Sequence, residues 1–334
     1  MEQRIAVIGA GIAGLSAARI LTDGGYEVLT FEKSRGLGGR SATRRVRESS
    51  FDHGAQYFTV RGSRLRSIIG PLIDDGQVAI WEAGIVTLRS DGTLDAAPDS
   101  DRYVGVPGMS ALGHALAAGL RVVRDTRIES VQTGPAGAWI AITGDGESHG
   151  PYAGLIITCP PPQASHLLAP AAPGLAAHCH SAAMQPCWAV MAAFDTPLDP
   201  GFDAAFVEDG CLAWVSRDSS KPGRPETPDC WTLHATPEWS ARHLEEHGER
   251  VAATLLDRLF QLTGMNRRET GTLLAHRWRY ARPWAGTPPG VRCDETAGIV
   301  VAGDWTAGTR IEDAFLSGIR AAELMIELLG TDGG

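Results

Sequence analysis

The sequence predicts an α/β protein with two parts: a Rossmann-type unit built from both ends of the chain, and a second α+β unit on a mixed or antiparallel sheet. Three observations predict it. A buried-strand run, Arg4-Ile5-Ala6-Val7-Ile8, leads directly into Gly9-Ala10-Gly11-Ile12-Ala13-Gly14 and a helix-like stretch. Near the other end, Gly298-Ile299-Val300-Val301-Ala302-Gly303-Asp304 reads as a second buried strand closing on an acid, with a long amphipathic segment after it. Between them, residues 187–194 and 231–234 alternate with period two, the pattern of half-buried strands.

The first glycine run has the spacing of a dinucleotide-binding turn. Gly9 permits the tight turn, Gly11 lets the backbone approach a pyrophosphate, and Gly14 lets helix and strand pack closely. Ile12 and Ala13 open the helix, whose free N–H groups and positive dipole end face that pyrophosphate. Glu32 ends the next strand-like run, Glu27-Val28-Leu29-Thr30-Phe31, where its carboxylate can accept hydrogen bonds from ribose hydroxyls and repel a 2′-phosphate. Lys33 is expected to be tied to that acid. This fingerprint predicts a dinucleotide without separating NAD from FAD.

The following segments decide between them. Gly36-Leu37-Gly38-Gly39-Arg40 suits a loop passing back over the pyrophosphate, with Gly39 for close approach and Arg40 for countercharge. In His53-Gly54-Ala55-Gln56-Tyr57, small residues between polar and aromatic ones offer a backbone on which a flat ring can rest. Asp304, at the end of its strand, can bind a ribityl hydroxyl. The start of the last helix, at Ile311 and Glu312, would aim its positive end at a flavin's N1–C2=O edge. That helix is expected to run to about Leu329, with Gly330 as its stop.

The intervening chain reads in order. Residues 64–101 look like an insertion with a helical start and short strands near 78–82 and 85–89. Gly108-Met109-Ser110 opens a helix to about Ala118, and short strands follow at 122–123 and 128–131. Leu155-Ile156-Ile157-Thr158-Cys159 is a buried strand stopped by Pro160-Pro161-Pro162. Residues 166–285 hold most of the tryptophans and the alternating runs, with a helix expected over 245–263. The expected division is therefore 1–62, 103–165 and 287–334 for the dinucleotide unit, and 63–102 and 166–286 for a substrate unit.

Composition narrows the function classes. Hydrophobic residues are 43% and charged residues 21% of 334, as expected for a globular protein. A formal net charge of −9 disfavours nucleic acid as a partner. No apolar run reaches membrane-spanning length and no signal peptide is expected, so the predicted location is cytoplasmic. The six cysteines show no C-x-x-C spacing, which argues against a metal knuckle and fits a reducing compartment. His243 and His247 lack the intervening glutamate of a zinc-protease helix and are expected on a solvated helix face. There is no G-x-S-x-G elbow for hydrolase chemistry. Only Lys33 and Lys221 are lysines; the other 28 basic residues are arginine.

The N-terminal fingerprint, the Gly38-Gly39-Arg40 segment and the Gly303-Asp304 strand with its helix together resemble the flavin amine oxidase superfamily. That resemblance implies an FAD domain of the two-dinucleotide-binding type, with a backbone group near Ile128 meeting the adenine end. Amine-oxidising members carry a lysine on a substrate-domain strand, bonded through water to the flavin. The corresponding stretch here, His276-Arg277-Trp278-Arg279-Tyr280-Ala281-Arg282-Pro283, has none. No cysteine is convincingly placed for covalent attachment, so non-covalent FAD is expected.

The stretch 276–281, residues 214–224 with Ser219-Ser220-Lys221-Pro222-Gly223-Arg224, Trp231-Thr232-Leu233-His234 and Gly54-Ala55-Gln56-Tyr57-Phe58 resemble the renalase family, especially its bacterial branch. The resemblance implies oxidation of unproductive 2- and 6-dihydro isomers of NAD(P) to NAD(P)+, with O2 taking the electrons and yielding H2O2. A dihydronicotinamide is already a strong hydride donor and needs no general base. Gln56, Tyr57, Trp188, Trp214, His234 and Trp278 are the candidate catalytic-site residues, each tryptophan being either sheet core or pocket wall. Arg217, Lys221 and Arg224 are candidates for the substrate's phosphates. No metal is expected. The rival readings are an amine or amino-acid oxidase, with Arg279 or Arg282 binding a carboxylate, and an FAD-dependent desaturase or dehydrogenase.

Overall fold

The computed structural model describes residues 3–284 and 290–331. Its first sheet has six strands in the order Arg292–Asp294, Ile299–Val301, Gly154–Ile157, Arg4–Ile8, Glu27–Phe31 and Val122–Val123. All its pairings are parallel except that of Arg292–Asp294 with Ile299–Val301. The first strand lies between residues 27–31 and 154–157, so the chain order reverses beside it. In an open α/β sheet a ligand crevice forms at such a reversal.

The central strands, Arg4–Ile8, Gly154–Ile157 and Ile299–Val301, are mostly apolar because both faces are covered. On one face lie the helices Ile12–Asp23 and Ile311–Thr331, packed through Ile5, Val7, Ala17, Leu21, Val300, Ala322 and Met325. On the other lie the helices Pro161–Leu168 and Pro173–Ser181 and a three-stranded sheet of Ile128–Thr133, Trp139–Thr143 and Ser148–Tyr152. Helices 12–23 and 311–331 approach closely at Gly318, where an added Cβ would stand 2.1 Å from the Ala13 carbonyl oxygen.

The second large sheet has seven strands, in the order Thr272–Pro283, Met184–Phe194, Asp229–Ala235, Leu212–Arg217, Ala204–Glu208, Ile85–Arg89 and Leu94–Ala96. It is mixed: only Ala204–Glu208 with Ile85–Arg89 is parallel. One face carries Val190, Val215, Trp231 and Leu233 into a core closed by the helices Pro237–Arg242 and Gly248–Thr263. The opposite face looks toward the dinucleotide unit. Across it the register aligns one lateral row, Phe206, Trp214, His234, Ala189 and His276.

Several expectations about elements are corrected. The prolines after residue 159 do more than stop a strand: Pro161 sits in the first turn of a helix, where its missing N–H costs nothing. The last helix continues through Gly330 to Thr331. His243 and His247 lie at the turn between two helices rather than on one helix face; His243 stacks on Trp239 at 4.1 Å and His247 caps the next helix. Among the described residues no helix is long and apolar enough to cross a membrane.

The close helix contact gives a test of the packing. Gly318→Ala should destabilise the protein by about 1–3 kcal/mol, the usual range for overpacking, and lower the thermal midpoint. An unchanged midpoint would mean that the two helices can part without loss.

Candidate cofactor and substrate site

The glycine turn is built as a cradle. Gly9 has φ +109, and a Cβ at Gly14 would stand 1.9 Å from the Gly9 carbonyl oxygen, so neither position admits a side chain. Gly11 caps the helix beginning at Ile12 and Ala13, has no neighbour within 4 Å of an added Cβ, and has no side-chain hydrogen bond closing the helix start. The amides there are free to meet an anion. Gly39 (φ +57) approaches the Gly11 Cα to 3.2 Å from its virtual Cβ. The Gly38 amide donates to the Ala10 carbonyl at 2.9 Å, which seats the second glycine loop on the first.

Glu32 is 7% exposed, and its carboxylate accepts from the Ala10 amide and the Ser34 amide, each at 2.8 Å. Two donors from the protein fix it and leave lone pairs for the hydroxyls of a ribose. Lys33 departs from expectation. Its Nζ donates to Gln163 Oε1 at 3.2 Å on the surface, because the buried Glu32 carboxylate already has backbone partners. Ile128 opens its strand beside this acid: its side chain packs in the core with Phe31, and the Thr126 amide donates to the Glu32 carbonyl at 2.9 Å.

Arg40 is the junction of the site. Its guanidinium makes a two-pronged pair with Asp304, at 2.8 and 2.6 Å, and also donates to the Ala281 carbonyl at 2.8 Å. Its own carbonyl accepts the Ala55 amide at 2.8 Å. A Cβ at Gly54 would stand 1.9 Å from that carbonyl, so only glycine fits between Arg40 and the Trp278 ring, 3.4 Å away on the other side. Glycine loop, segment 53–57, C-terminal strand and seven-stranded sheet therefore meet at one residue.

The segment 53–57 is clamped from above. Trp278 Nε1 and His234 Nε2 both lie on the His53 carbonyl, at 2.8 and 3.2 Å. The His53 ring stacks on Trp278 at 5.1 Å and meets His276 edge-on at 4.9 Å. Tyr57 packs against Trp214 at 5.5 Å, and Trp214 Nε1 is buried without a hydrogen-bond partner. His53 Nδ1 is likewise a buried atom without one. Burial, with the nearby His276 and Arg44, holds the His53 imidazole down at about 4. Burial holds His234 at about 4 too, aided by the charge of Lys221. His276 is lowered by burial and by Arg44. The roof over Gly54 and Ala55 is aromatic and, near neutral pH, uncharged.

Three expectations about this site are corrected. Trp188 points to the far face of its sheet, where it is core and its Nε1 donates to the His243 carbonyl at 3.0 Å. Alternation puts neighbours on a strand on opposite faces, so Trp188 is excluded by the same register that presents Ala189. Arg217, Lys221 and Arg224 do not form a phosphate-binding loop. Arg217 pairs with the buried Asp229 at 2.6 Å, Lys221 with Asp218 at 2.6 Å and Asp52 at 3.3 Å, and Arg224 with Asp52 at 2.6 Å. Lys221 and Arg224 are buried, so neither charge reaches solvent. Glu312 is occupied in holding the chain, its carboxylate accepting the Arg61 and Gly62 amides at 3.0 and 2.6 Å. Ile311 still begins the last helix, with Asp304 just upstream.

Sequence reasoning missed Asp52, Asp218 and Ser216, which bind Lys221 or Gln56 behind the ring-contact segment. It also missed Arg44, whose charge acts on His53 and His276. The signal for Asp52 was its place two residues before Gly54. Asp218 lies three residues before Lys221, a spacing that could have paired them, while Ser216 and Arg44 carry no local signal because their partners are distant in sequence or across a hairpin.

Comparison with known proteins identifies the family. The family described as flavin containing amine oxidoreductase matches residues 94–326, and an NAD(P)-binding Rossmann-like domain matches residues 7–70. A protein of Mycobacterium tuberculosis named as a flavin-containing monoamine oxidase, AofH, is 43% identical over 83 residues, 25% of this chain. That match spans only 16% of the relative's own length. Cyclohexylamine oxidase from Brevibacterium oxydans has the same fold, with a TM-score of 0.76 at 14% identity, covering 99% of this chain and 100% of that one. A chain from Exiguobacterium assigned as protoporphyrinogen oxidase gives a TM-score of 0.76 at 16% identity, covering 98% and 99%. The chain belongs to the flavin-containing amine oxidoreductase family, and its cofactor is FAD. The free helix start at Gly11, the anchored Glu32 carboxylate and the narrow strip at Gly54 fit that dinucleotide.

The lowered histidines set a pH dependence. A histidine at about 4 in the fold and 6.5 when unfolded binds more protons unfolded, so stability rises with pH across that window. Acidification from 6.5 toward 4 should lower the thermal midpoint, at a cost of at most about 1.4 kcal/mol per pH unit for each histidine. His234→Gln should flatten that slope. A slope equal to that of the parent protein would show that His234 is not held neutral.

Proposed function

We propose that this flavin-containing amine oxidoreductase is an FAD-dependent oxidase of the renalase type. It would oxidise 2- and 6-dihydro isomers of NAD(P) to NAD(P)+, with O2 reduced to H2O2. FAD, when bound, supplies the hydride acceptor at N5 and passes two electrons to O2. The observation that carries the reading is the chemistry of the groups over Gly54 and Ala55: Tyr57, Trp214, Trp278 and imidazoles held neutral, with Lys221 bound to two carboxylates behind them.

A dihydronicotinamide loses hydride and becomes a cation with no proton to remove. An alkylammonium must lose a proton as well as a hydride. An imidazole at about 4 is a weak base for that task, and Lys221 is bound elsewhere. Aromatic walls and the short Ala189 between His234 and His276 suit a flat ring. The substrate's phosphates would meet Arg44, exposed on the hairpin Arg44–Val46 beside His53 and His276 and, among the described residues, without an ion-pair partner. This reading keeps residues 1–62, 103–165 and 287–334 as the FAD unit and 63–102 and 166–286 as the substrate unit, in a cytoplasmic enzyme. Of these residues, 1–2, 285–289 and 332–334 lie outside the described ones.

FAD is proposed to be held without a covalent bond. Burial raises the thiols of all six cysteines, Cys159, Cys179 and Cys187 to about 12, which suppresses the nucleophilic thiolate. Denaturation and filtration should release the yellow colour; colour retained on the protein would sink this part of the reading.

Anaerobic stopped-flow bleaching of the flavin tests the substrate. The 2- and 6-dihydro isomers should bleach it fast, while β-NADH and primary amines do so slowly or not at all. Bleaching by an amine with the isomers inert would return the protein to amine oxidation. Arg44→Gln should raise KM for the dinucleotide isomers about tenfold, the size of one charge-assisted hydrogen bond. It should leave the phosphate-free dihydronicotinamide riboside unaffected.

A further inference from the structure

Behind the ring-contact segment lies a buried polar network that joins it to the substrate sheet. Lys221 Nζ donates to Asp218 Oδ1 at 2.6 Å, Gln56 Oε1 at 3.1 Å and Asp52 Oδ2 at 3.3 Å. Arg224 donates to Asp52 Oδ2 at 2.6 Å and to the Gly105 carbonyl at 2.6 Å. Asp52 Oδ1 accepts from Thr43 Oγ1 at 2.7 Å and from the Met109 amide at 2.9 Å. Ser216 Oγ donates to Gln56 Oε1 at 2.5 Å, Thr232 Oγ1 to Asp218 Oδ2 at 2.5 Å, and Gln56 Nε2 to the Asp52 carbonyl. The Trp81 ring lies 5.3 Å from the Lys221 ammonium. The side chains of Asp52, Asp218, Lys221 and Arg224 are at most 1% exposed.

Removing four charges from water costs several kcal/mol for each ion, and apolar residues of similar volume often stabilise a fold as well or better. Stability alone therefore does not account for the quartet. Its placement does, since Asp52 and Gln56 flank His53, Gly54 and Ala55, while Asp218, Lys221 and Arg224 belong to the loop after the strand Leu212–Arg217.

We propose that Lys221 is a positioning residue for FAD: by holding Gln56 and Asp52 it fixes the backbone of residues 53–55 as the rigid surface against which the flavin ring lies. Gln56 Oε1 receives two donors, Lys221 and Ser216, so its amide has one orientation and its Nε2 must turn to the Asp52 carbonyl. The Asp52 carboxylate is held by four donors at once. Both ends of the three-residue strip are thus pinned, one from the helix Ser110–Ala117 side and one from the substrate sheet. Burial raises the Asp52 carboxyl, but Lys221 and Arg224 outweigh it and hold the group at about 2, so the anchor stays charged at any pH of interest. The role is independent of which donor is oxidised.

The test removes one cation and one anion together. Lys221→Met/Asp218→Asn keeps the network neutral and leaves the Asp52–Arg224 pair intact. The thermal midpoint of the apoprotein, FAD affinity by fluorescence titration and the fine structure of the flavin's visible band are measured. Expected are a folded apoprotein, FAD bound on the order of tenfold more weakly, and a broadened band. Unchanged affinity and band shape would overturn the proposal, whatever happens to the midpoint. If the double variant does not fold, Ser216→Ala decides. It keeps all four charges and loses one hydrogen bond to Gln56, so a few-fold weaker FAD and the same broadening are expected, and no change in either would overturn the proposal.

Discussion

The Arg40–Asp304 pair ties together residues 264 positions apart, and the site depends on it. Without that pair the glycine loop, the C-terminal strand and the edge of the substrate sheet have no common anchor. The guanidinium suits the task because its fork meets a carboxylate with two parallel bonds and still has a donor for the Ala281 carbonyl. A lysine would offer a point charge without that geometry. The backbone of the same residue holds Ala55, so side chain and main chain act on different neighbours at one position. Gly54 follows as a necessity: any side chain there would collide with the Arg40 carbonyl.

Around this junction charge is sorted by side. Behind residues 53–55 stand two carboxylates and two cations, paired with one another and buried. In front stand rings: Tyr57, Trp214, Trp278 and three imidazoles kept uncharged. The two sides are coupled, because the Lys221 charge helps keep His234 neutral. A fixed cation behind the segment and neutral nitrogens before it leave the ring-lined side without a strong base.

The dinucleotide half was legible because its constraints are local. Gly9, Gly11 and Gly14 act within six residues, and Glu32 is reached through one strand and one helix. Asp304 and Arg40 were each legible as site residues, but their pairing was not, since nothing local reports a contact across 264 positions. In the seven-stranded sheet, alternation showed strands without showing which face packs on residues 53–57. Trp188 and Ala189 differ by one position, and only the register with His276 and His234 separates core from site. The basic loop 217–224 read as a phosphate site because clustered cations suit anions. Of its carboxylate partners only Asp218 is local; Asp52 and Asp229 lie on other segments, and pairing with them takes up the cations. The hairpin Trp139–Thr143 with Ser148–Tyr152 was not among the strands read from the sequence.

The order of strands in the six-stranded sheet has a further consequence, in the timing of folding. The strand Arg4–Ile8 is made long before its neighbour Gly154–Ile157, and Ile299–Val301 joins only beyond that. Contacts of such long range are formed late, because the loop entropy of bringing distant segments together must be met before they reward it. Until residue 304 leaves the ribosome, Arg40 lacks its partner and the apolar edge of residues 154–157 is bare. The nascent chain therefore carries an unfinished sheet for most of its synthesis. Until residues 299–304 are made, the glycine loop that Arg40 belongs to has no closure against the C-terminal strand.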